Sequence, residues 1–592
     1  MTFNAPVKDI AFAMNHVAGL KKAIDNGTYA ELSDDMVETI LEEAGKFANE
    51  MVAPLNRDGD TVGAKLIDGQ VKTAPGWKDT YNAWTEAGWA TLTGSPEYGG
   101  QGLPHLLASA CYEMWSSASM AWCLGPILTG GGVEALTYHG SQELKDRYLE
   151  KLITGEWMAT MNLTEPEAGS DLAPMKTRAT PKGDGTYLIK GQKIFISYGD
   201  HDLTDNIIHL VLARLPDAPA GTRGISLFLV PKFLPDGTRN DAHPTSLEHK
   251  MGIHGSPTAV MEFGAGEGAV GWLIGEENRG LACMFTMMNN ARLNVGIEGV
   301  GIAERAYQQA LAYAKERRQA RAVGTPKDAP MSAIIEHPDV KRMLLTMKAL
   351  TQVSRGICYM TSAALDEQHL GADDAAKKAG ANRAALLTPI AKAFSTDVGN
   401  EVSSLGVQVH GGAGFIEETG AAQHMRDARI AAIYEGTNGI QAIDLVTRKL
   451  PLENGEVVFA QIAAIRATAK AVAKAGSEHG ETAARLRDAA ESLDQATSFL
   501  LKAVSADLNT ALAVATPYLR LFGLVLGGSI LAEMAMASAA ALASGETDPA
   551  HKGRIALSRF YAENLLLEAA SLSALVLNGA SSVMNAEEAL AD

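Results

Sequence analysis

The hydrophobic periodicity of this chain changes twice, and that change constrains its fold more than any other feature. Helical spacing begins at residues 36–51 and continues to about Trp157. Short apolar runs with turns between them follow, and from Gly280 the helical period returns and lasts to the end. Elements grouped in blocks predict separate helical and strand domains, because a doubly wound sheet would need alternating βαβ units.

The middle block contains four short apolar runs that we interpret as strands. Their lengths, their β-branched and aromatic residues and the turns between them are typical of a small antiparallel sheet or barrel. The four predicted strands are Thr186–Ser197, Asn206–Leu215, Gly224–Lys232 and Thr258–Gly264.

With 592 residues, the chain is too long for one hydrophobic core. A break at KLPLENG, near residues 449–455, precedes Ala-rich amphipathic helices without a catalytic cluster. We therefore predict a mainly α protein with one β domain and a final helical domain for packing or oligomerisation. The predicted boundaries are 1–35 for an N-terminal extension, 36–157 for a helical domain, 158–279 for the β domain, 280–448 for a helical bundle and 449–592 for the additional helical domain.

The net charge of −18 disfavours nucleic acid and anionic membranes as main partners, because both need a basic face. The N-terminus, MTFNAPVKDI, lacks the basic start and apolar core of a signal peptide. The longest apolar run, Leu521–Ala532, has 12 residues, which predicts a buried helix because a bilayer needs about 20. These features predict a cytoplasmic protein.

The spacing of the cysteines indicates neither a metal site nor a set of disulfide bonds. None of the four belongs to a CxxC motif, and no histidine pair has the spacing of metal ligands. We expect buried free thiols in a reducing compartment and no bound metal. The four residues are Cys111, Cys123, Cys283 and Cys358.

Four segments carry candidate chemistry: MNLTEPEAGSDL (161–172), GQKIFIS (191–197), LGVQVHGGAGF (405–415) and MRDARIAAIYEGTNGIQ (425–441). Taken singly, each has an ordinary structural interpretation, such as a polar turn, a helix end or a surface charge pair. In the last segment a lone acid, Glu435, stands between the apolar Ile430–Tyr434 run and a turn that begins at Gly436. A single acid of this kind is more often a solvated side chain or a helix cap.

Together and in this order, the four segments closely resemble the acyl-CoA dehydrogenase family. Supporting matches are PEYGGQGL (96–103), KMGIHGSPT (250–258), GEENRGL (275–281) and YAKERRQA (313–320), and the resemblance covers roughly residues 36–448. It implies an N-terminal helical domain, a middle antiparallel β-barrel and a C-terminal helical bundle, here followed by an extra helical domain. That longer layout is similar to a bacterial subgroup that includes the 3-methylmercaptopropionyl-CoA dehydrogenases of dimethylsulfoniopropionate breakdown.

The reaction that the resemblance implies is α,β-dehydrogenation of an acyl-CoA thioester. A base removes the α-proton, and the β-hydrogen leaves as hydride to N5 of FAD. The family's base matches Glu435, and burial beside apolar groups would raise the pKa of this acid toward a useful range. Some relatives carry the base just before the helix arginine of the CoA site, but here Ala291 precedes Arg292, and Glu298 does not match that position.

Residue by residue, the resemblance also implies a cofactor site and a substrate site. Phe195 and Ser197 stand where the family usually has Trp and Thr, and Ala320 replaces a Phe that contacts flavin, which puts that contact in doubt. Arg317, Gln408 and Gly412 match positions that reach the cofactor of a neighbouring subunit. The implied cofactor residues are Leu163, Thr164, Gly169, Ser170, Phe195, Ser197, Arg317, Gln408, Gly412 and Thr437, and the implied substrate residues are Ser170, Asn289, Arg292 and Gly436.

The sequence says less about the length of the acyl chain that the protein binds. Large side chains at Trp115, Met120, Trp122, Met284, Phe285 and Met288 either form plain core, which we favour, or shorten the acyl pocket. The best prediction is a short-chain substrate such as 3-methylmercaptopropionyl-CoA. Alternatives are a medium- or long-chain fatty acyl-CoA dehydrogenase of β-oxidation, an acyl-CoA oxidase and a DNA-binding alkylation-defence relative. The expected partners are acyl-CoA, an electron-transfer flavoprotein as electron acceptor and a second copy of the chain in an oligomer, at least a dimer, with neither nucleic acid nor membrane.

Overall fold

The computed structural model describes residues 3–591, and its N-terminal segment is helical and packed. Helix α1 lies against the late helices of the chain, where Asp9 accepts a hydrogen bond from Arg554 at 2.7 Å. The guanidinium of Arg554 also lies 3.8 Å from the ring centre of Phe12. The N-terminal extension therefore joins the first and last parts of the chain.

The N-terminal helical domain follows. Helix α3 begins at Asp34, and the Ser33 hydroxyl caps it by accepting the N–H of Met36. Helix α6 is buried on nearly every face, so it forms the centre of this domain. The elements up to the β domain are α1 Val7–His16, α2 Leu20–Asp25, α3 Asp34–Phe47, α4 Leu55–Val62, β1 Lys65–Ile67, β2 Gln70–Lys72, α5 Trp77–Glu86, α6 His105–Ala118, α7 Met120–His139 and α8 Gln142–Ile153.

The middle domain is a closed β-barrel. Strand β10 pairs with both β5 and β7, so β5, β4, β6, β7 and β10 form a ring, and β9 and β8 extend it from β5. All pairings are antiparallel except those of β6 with β3 and β4, which are parallel. The strands are β3 Met158–Asn162, β4 Arg178–Pro181, β5 Tyr187–Ser197, β6 Ile207–Arg214, β7 Ile225–Pro231, β8 Ala242–Leu247, β9 Thr258–Phe263 and β10 Ala269–Ile274.

Three long helices form the bundle after the barrel. Helices α9 and α11 each contain 37 residues, which is about 55 Å, and both pack against α10. Helix α9 also contacts α6 and α7, so it lies between the N-terminal domain and the rest of the bundle. The bundle helices are α9 Gly280–Glu316, α10 Pro338–Leu370, α11 Asp374–His410, α12 Ala421–Ala428 and α13 Asn438–Asp444.

A second set of helices completes the chain. The apolar run at Leu521–Ala532 lies inside α17, which has 29 residues and is longer than the run itself. Two stretches, Ala515–Ala543 and Pro549–Asn578, are long and apolar enough to cross a membrane, and their most apolar windows are 83% and 33% buried within the protein. The helices are α14 Glu456–Ala475, α15 Thr482–Ala506, α16 Leu508–Ala513, α17 Ala515–Ala543, α18 Pro549–Phe560, α19 Glu568–Asn578 and α20 Ala580–Met584.

The prediction of buried free thiols is confirmed. All four thiols are free and buried, and three of them are among the least exposed side chains of the core. Burial raises the pKa of Cys111, Cys123 and Cys358 to about 12, so these thiols are protonated and unreactive at neutral pH.

Candidate active site

Glu435 lies at a sharp turn between a short helical segment at Arg429–Ala432 and helix α13. Its φ is 53° and that of Gly436 is 85°, so two successive residues have left-handed backbone conformations. Glycine adopts this conformation freely, but a glutamate there is strained, and such strain persists where the surrounding structure fixes it. The turn points to a functional position because it places an acid where an unconstrained chain would not.

Two cations flank the Glu435 carboxyl. Burial raises its pKa, and the charges of Arg292 and Lys392 partly offset that rise. Arg292 is buried on α9, and its Nη1 lies 3.7 Å from a carboxylate oxygen of Asp444. An acid with this environment can ionise within a dry pocket and still have a higher pKa than a solvated glutamate.

The turn itself is braced from α11 and α13. Lys392 donates a hydrogen bond to Asn438 at 2.8 Å, and the Asn438 amide donates to Asp397 at 2.7 Å. Thr437 caps α13 by accepting the N–H of Ile440, and Gln441 donates to the carbonyl of Gly436 at 3.2 Å. Sequence reasoning missed Lys392, although a single lysine within an otherwise apolar helical stretch was a signal for it.

A small cavity lies in front of Glu435. Its volume is about 20 Å³, roughly enough for one water molecule. Trp115, Trp122 and Met284 do not line it and belong to the buried core, which agrees with the interpretation favoured from the sequence. Three layers of the fold meet there, and the lining residues are Leu124, Ile127, Leu128, Gly131, Met161, Ser197, Ala291, Val295, Glu298, Tyr434 and Glu435.

The barrel supplies the opposite wall. Leu163 and Thr164 follow β3, and the Thr164 carbonyl accepts the N–H of Ile194 at 2.9 Å. A bulge in β5 gives Phe195 a φ of 60°, leaves its ring 59% exposed and directs Ser197 to the cavity. The structure thus places the predicted residues of the first two motifs beside one another.

A buried ion pair that sequence reasoning missed connects those two motifs. Lys193 and Glu165 are almost fully buried, and Lys193 Nζ lies 2.8 Å from Glu165 Oε1 and donates to the Leu163 carbonyl at 3.0 Å. Burial lowers the pKa of Lys193 to about 8 against the opposing effect of Glu165. Both residues stand inside the motifs TEPEAGSD and GQKIFIS, so the motifs contained the signal.

Gly169 and Ser170 are exposed beyond this pair, and a Cβ added at Gly169 would meet no atom within 4 Å. Asn289 is exposed on α9, three residues before the buried Arg292. Gly436 is tight: a Cβ there would lie 2.7 Å from Gln441 Nε2 and 3.7 Å from Arg292 Nη2. Any larger residue at 436 would therefore press on the groups that hold the turn.

Three predicted cofactor residues lie elsewhere. Arg317 follows Arg292 by 25 residues at the end of α9, which is about 37 Å along the helix. The rings of Tyr313 and His410 stack with centres 4.4 Å apart, which joins this end of α9 to the end of α11. Gln408 and Gly412 are exposed beside that junction. Arg317 is therefore too far along α9 to contact the site that Glu435 of the same chain forms.

Models of one protein family match four consecutive parts of the chain. The acyl-CoA dehydrogenase N-terminal domain matches residues 34–156, the middle domain 160–265 and the C-terminal domain 278–450. A further model, described as acetyl-CoA dehydrogenase C-terminal like, matches residues 459–587. The fold class expected from the sequence is thereby confirmed, including the extra helical domain.

Curated proteins of similar length match throughout. The chain is 45% identical over 592 residues to 3-methylmercaptopropionyl-CoA dehydrogenase of Ruegeria pomeroyi, covering 99% of this chain and 100% of that protein. It is 36% identical to a butyryl-CoA dehydrogenase of Syntrophomonas wolfei, covering 95% and 94%.

Two solved structures are also similar. An acyl-CoA dehydrogenase of Bacillus anthracis, complexed with FAD, has a TM-score of 0.71 at 20% identity, covering 95% of this chain and 92% of that one. A chain from the study titled "Electron transferring flavoprotein of Acidaminococcus fermentans" has a TM-score of 0.58 at 27% identity, covering 70% and 97%. From the four matched domains and the full-length relatives, we conclude that this chain belongs to the acyl-CoA dehydrogenase family, whose members are FAD-dependent oxidoreductases.

Proposed function

We propose that this protein is an FAD-dependent dehydrogenase of short acyl-CoA thioesters, with 3-methylmercaptopropionyl-CoA as the best candidate substrate. The observation that carries the proposal is the strained, half-buried Glu435 facing a cavity that Ser197 of the barrel also lines. The cavity is lined mainly by apolar side chains, which suits the acyl part of such a thioester. The 45% identity to a full-length relative of that name supports the choice within the short chains.

The barrel face fits a flat cofactor. Phe195 offers an exposed aromatic face, and the open backbone at Gly169 leaves room for a phosphate to approach. Leu163, Thr164 and Ser197 lie on the same side of the cavity, so together these residues would hold the flavin ring and its first phosphates. When bound, FAD supplies the acceptor for the β-hydrogen.

Within this site, Glu435 acts as the general base. The carboxylate takes the α-proton, and its raised pKa matches it to that task better than a solvated acid. Arg292 and Lys392 favour the ionised form before proton transfer. Arg292, Asn289, Ser170 and the backbone at Gly436 would hold the thioester and its pantetheine arm.

We further propose that the active protein is at least a dimer. Arg317 is exposed about 37 Å along α9 from Arg292, and Gln408 and Gly412 are exposed beside the same end of α9, as residues that bind the cofactor of a neighbour would be. Phe415, 83% exposed beside them, supports an interface there, since large exposed apolar side chains mark contact surfaces. Mixing Arg317→Ala subunits with Glu435→Gln subunits should restore activity only if Arg317 acts across the interface.

An electron-transfer flavoprotein in the cytoplasm is the proposed electron acceptor. Members of the family commonly pass electrons to such a protein, and one similar solved chain comes from a study of an electron transferring flavoprotein. Peroxide formation without any protein acceptor would instead support the oxidase alternative. Retention on a DNA column at moderate salt would revive the DNA-binding alternative, against which the net charge of −18 argues.

The central test is anaerobic bleaching of the bound flavin by propanoyl-, butanoyl-, 3-methylmercaptopropanoyl-, octanoyl- and palmitoyl-CoA. We expect rapid bleaching by the short thioesters and its loss in Glu435→Gln. Glu42→Gln, which changes an exposed acid on α3 away from the site, is the matched control and should bleach normally. Faster bleaching by octanoyl- or palmitoyl-CoA would contradict the short-chain assignment.

A further inference from the structure

The active-site cavity contains a second carboxyl that the proposed reaction does not use. Glu298 lies on α9 with no exposed surface, and it lines the same cavity as Glu435. One acid is sufficient to remove the α-proton. Burying another acid is unfavourable unless it has partners, so its presence in the acyl pocket needs a chemical reason.

Only half of this carboxyl has a partner. The Tyr434 hydroxyl donates a hydrogen bond to Glu298 Oε2, which fixes the side chain. The other oxygen, Oε1, is buried and has no hydrogen-bond partner among residues 3–591. A fixed, unpartnered polar atom on the wall of a substrate cavity is placed to meet a polar atom of the ligand.

Glu298 lines the cavity seven residues beyond Ala291 on α9. Ala291, Val295 and Glu298 are spaced by four and three residues, so they share one face of α9 over about 10 Å. Ala291 adjoins Arg292, which lies close to Gly436 and the base. An acyl chain that enters past Arg292 would therefore reach Glu298 with the atoms beyond its β-carbon.

Burial keeps the Glu298 carboxyl neutral at ordinary pH. Burial raises its pKa to about 8, the Tyr434 hydrogen bond and Lys392 lower it, and the charge of Glu435 raises it further. A further titratable neighbour is the Cys123 thiol of α7, which is itself protonated. A neutral carboxyl carries one O–H, so Glu298 can donate a hydrogen bond into the cavity.

We propose that Glu298 is a specificity-determining residue whose free carboxyl oxygen donates a hydrogen bond to an acceptor atom just beyond the β-carbon of a short acyl chain. A thioether sulfur or an ether oxygen fits this requirement. A methylene group at the same place leaves the oxygen unpartnered, and the pocket discriminates against it. The inference rests on the proposed function and deepens it by assigning the chemical class of the acyl chain.

The test uses three thioesters of equal chain length, namely 3-methylmercaptopropanoyl-, 3-methoxypropanoyl- and pentanoyl-CoA. We expect the wild-type enzyme to favour both heteroatom chains over pentanoyl-CoA in kcat/KM by about three- to tenfold, the size of one ordinary hydrogen bond. Glu298→Leu should abolish or reverse this preference. Glu298→Gln should retain it, because an amide N–H can also donate.

Two further variants separate specificity from structure. Tyr434→Phe removes the hydrogen bond that fixes Glu298 but keeps the carboxyl, so the preference should weaken less than it does in Glu298→Leu. Glu533→Gln changes another partly buried acid, which lies in the extra helical domain and accepts from Thr468 and Ser529, and the preference should be unchanged.

An equal slowing of all three thioesters in Glu298→Leu would overturn the inference and assign Glu298 a purely structural role. A wild-type enzyme without any preference would overturn it too, even if no Glu298 variant folds. Failure of every thioester to reduce the flavin would instead refute the proposed function, and this inference would fall with it.

Discussion

The buried pair of Lys193 and Glu165 gives the sharpest stability prediction for the cofactor site. Lys193→Met removes the cation but keeps the length and apolar stem of the side chain. Glu165 would then retain only the backbone N–H groups of Lys176 and Thr177, at 2.6 and 3.1 Å. The Leu163 carbonyl would lose its bond from Lys193 as well.

The magnitude follows from the burial of both partners. Lys193 is 0% exposed and Glu165 is 4% exposed, so water cannot solvate the carboxylate that loses its cation. Breaking a buried ion pair from one side costs about 3–5 kcal/mol, which is a large share of the roughly 5–15 kcal/mol that stabilises a typical domain. The loop at residues 163–177 should therefore open, and the affinity of the barrel for the flavin should fall.

The companion variant is Lys193→Met combined with Glu165→Gln. The amide that replaces the Glu165 carboxylate carries no charge and can still accept one of the two backbone N–H groups. We expect the double variant to recover about half or more of the lost stability, because buried pairs replaced on both sides are often nearly neutral.

The assay is the temperature at which flavin fluorescence appears on release, together with flavin content per chain. This readout is preferred to global unfolding, since a chain with several domains need not unfold in two states. Lys151→Met, which removes an exposed ion pair with Glu156, is the control and should release flavin as the wild type does. An unchanged release temperature in Lys193→Met, or a double variant worse than the single one, would refute the reasoning.

Four other predictions follow from the site. Glu435→Gln should slow flavin reduction by acyl-CoA about 10²–10⁴-fold while flavin content stays normal; a change below about tenfold would exclude Glu435 as the base. Glu435 must be ionised to act as the base, and burial raises its pKa. The rate of flavin reduction should therefore increase with pH with a midpoint above 4.5, and a midpoint below 4.5 would contradict a buried Glu435. The preference for heteroatom chains should weaken as pH rises through about 8, where Glu298 ionises and loses its O–H; a pH-independent ratio would contradict donation by this residue. Arg317→Ala should lower flavin affinity without changing the pH limb, and equilibrium dialysis of FAD measures this directly.

The strand block was predictable because its periodicity is local. Predicted Thr186–Ser197 is observed as Tyr187–Ser197, and predicted Gly224–Lys232 as Ile225–Pro231. The sequence did not reveal β8, Ala242–Leu247, because it contains a proline, and a proline within a run weakens a strand prediction. It also did not reveal the parallel pairing of β3 with β6, because pairing between distant segments depends on tertiary packing and not on local pattern.

The site residues also differ in whether the sequence alone could identify them. The family resemblance of the motifs nominated Glu435, whereas the residues alone favoured a solvated acid or a helix cap. Lys392 and Glu298 were not nominated, since each is one charged residue in an apolar helix and gains its meaning from side chains far away in the chain. A single charge inside the stretch VGIEGVGIA is nevertheless a local conflict, and conflicts of that kind point to functional positions.

The two acids of the cavity illustrate how neighbours assign chemistry to identical side chains. Glu435 lies between the cations of Arg292 and Lys392, which limit the rise of its pKa and favour the ionised form that a base requires. Glu298 has a phenol as its hydrogen-bond partner and lies fully buried, so its pKa rises to about 8 and it keeps its proton. Each acid reinforces the other, because the charge on Glu435 disfavours a second charge beside it. One carboxyl can thus take a proton while the other donates a hydrogen bond, and this division of roles follows from packing around a cavity that only the folded chain creates.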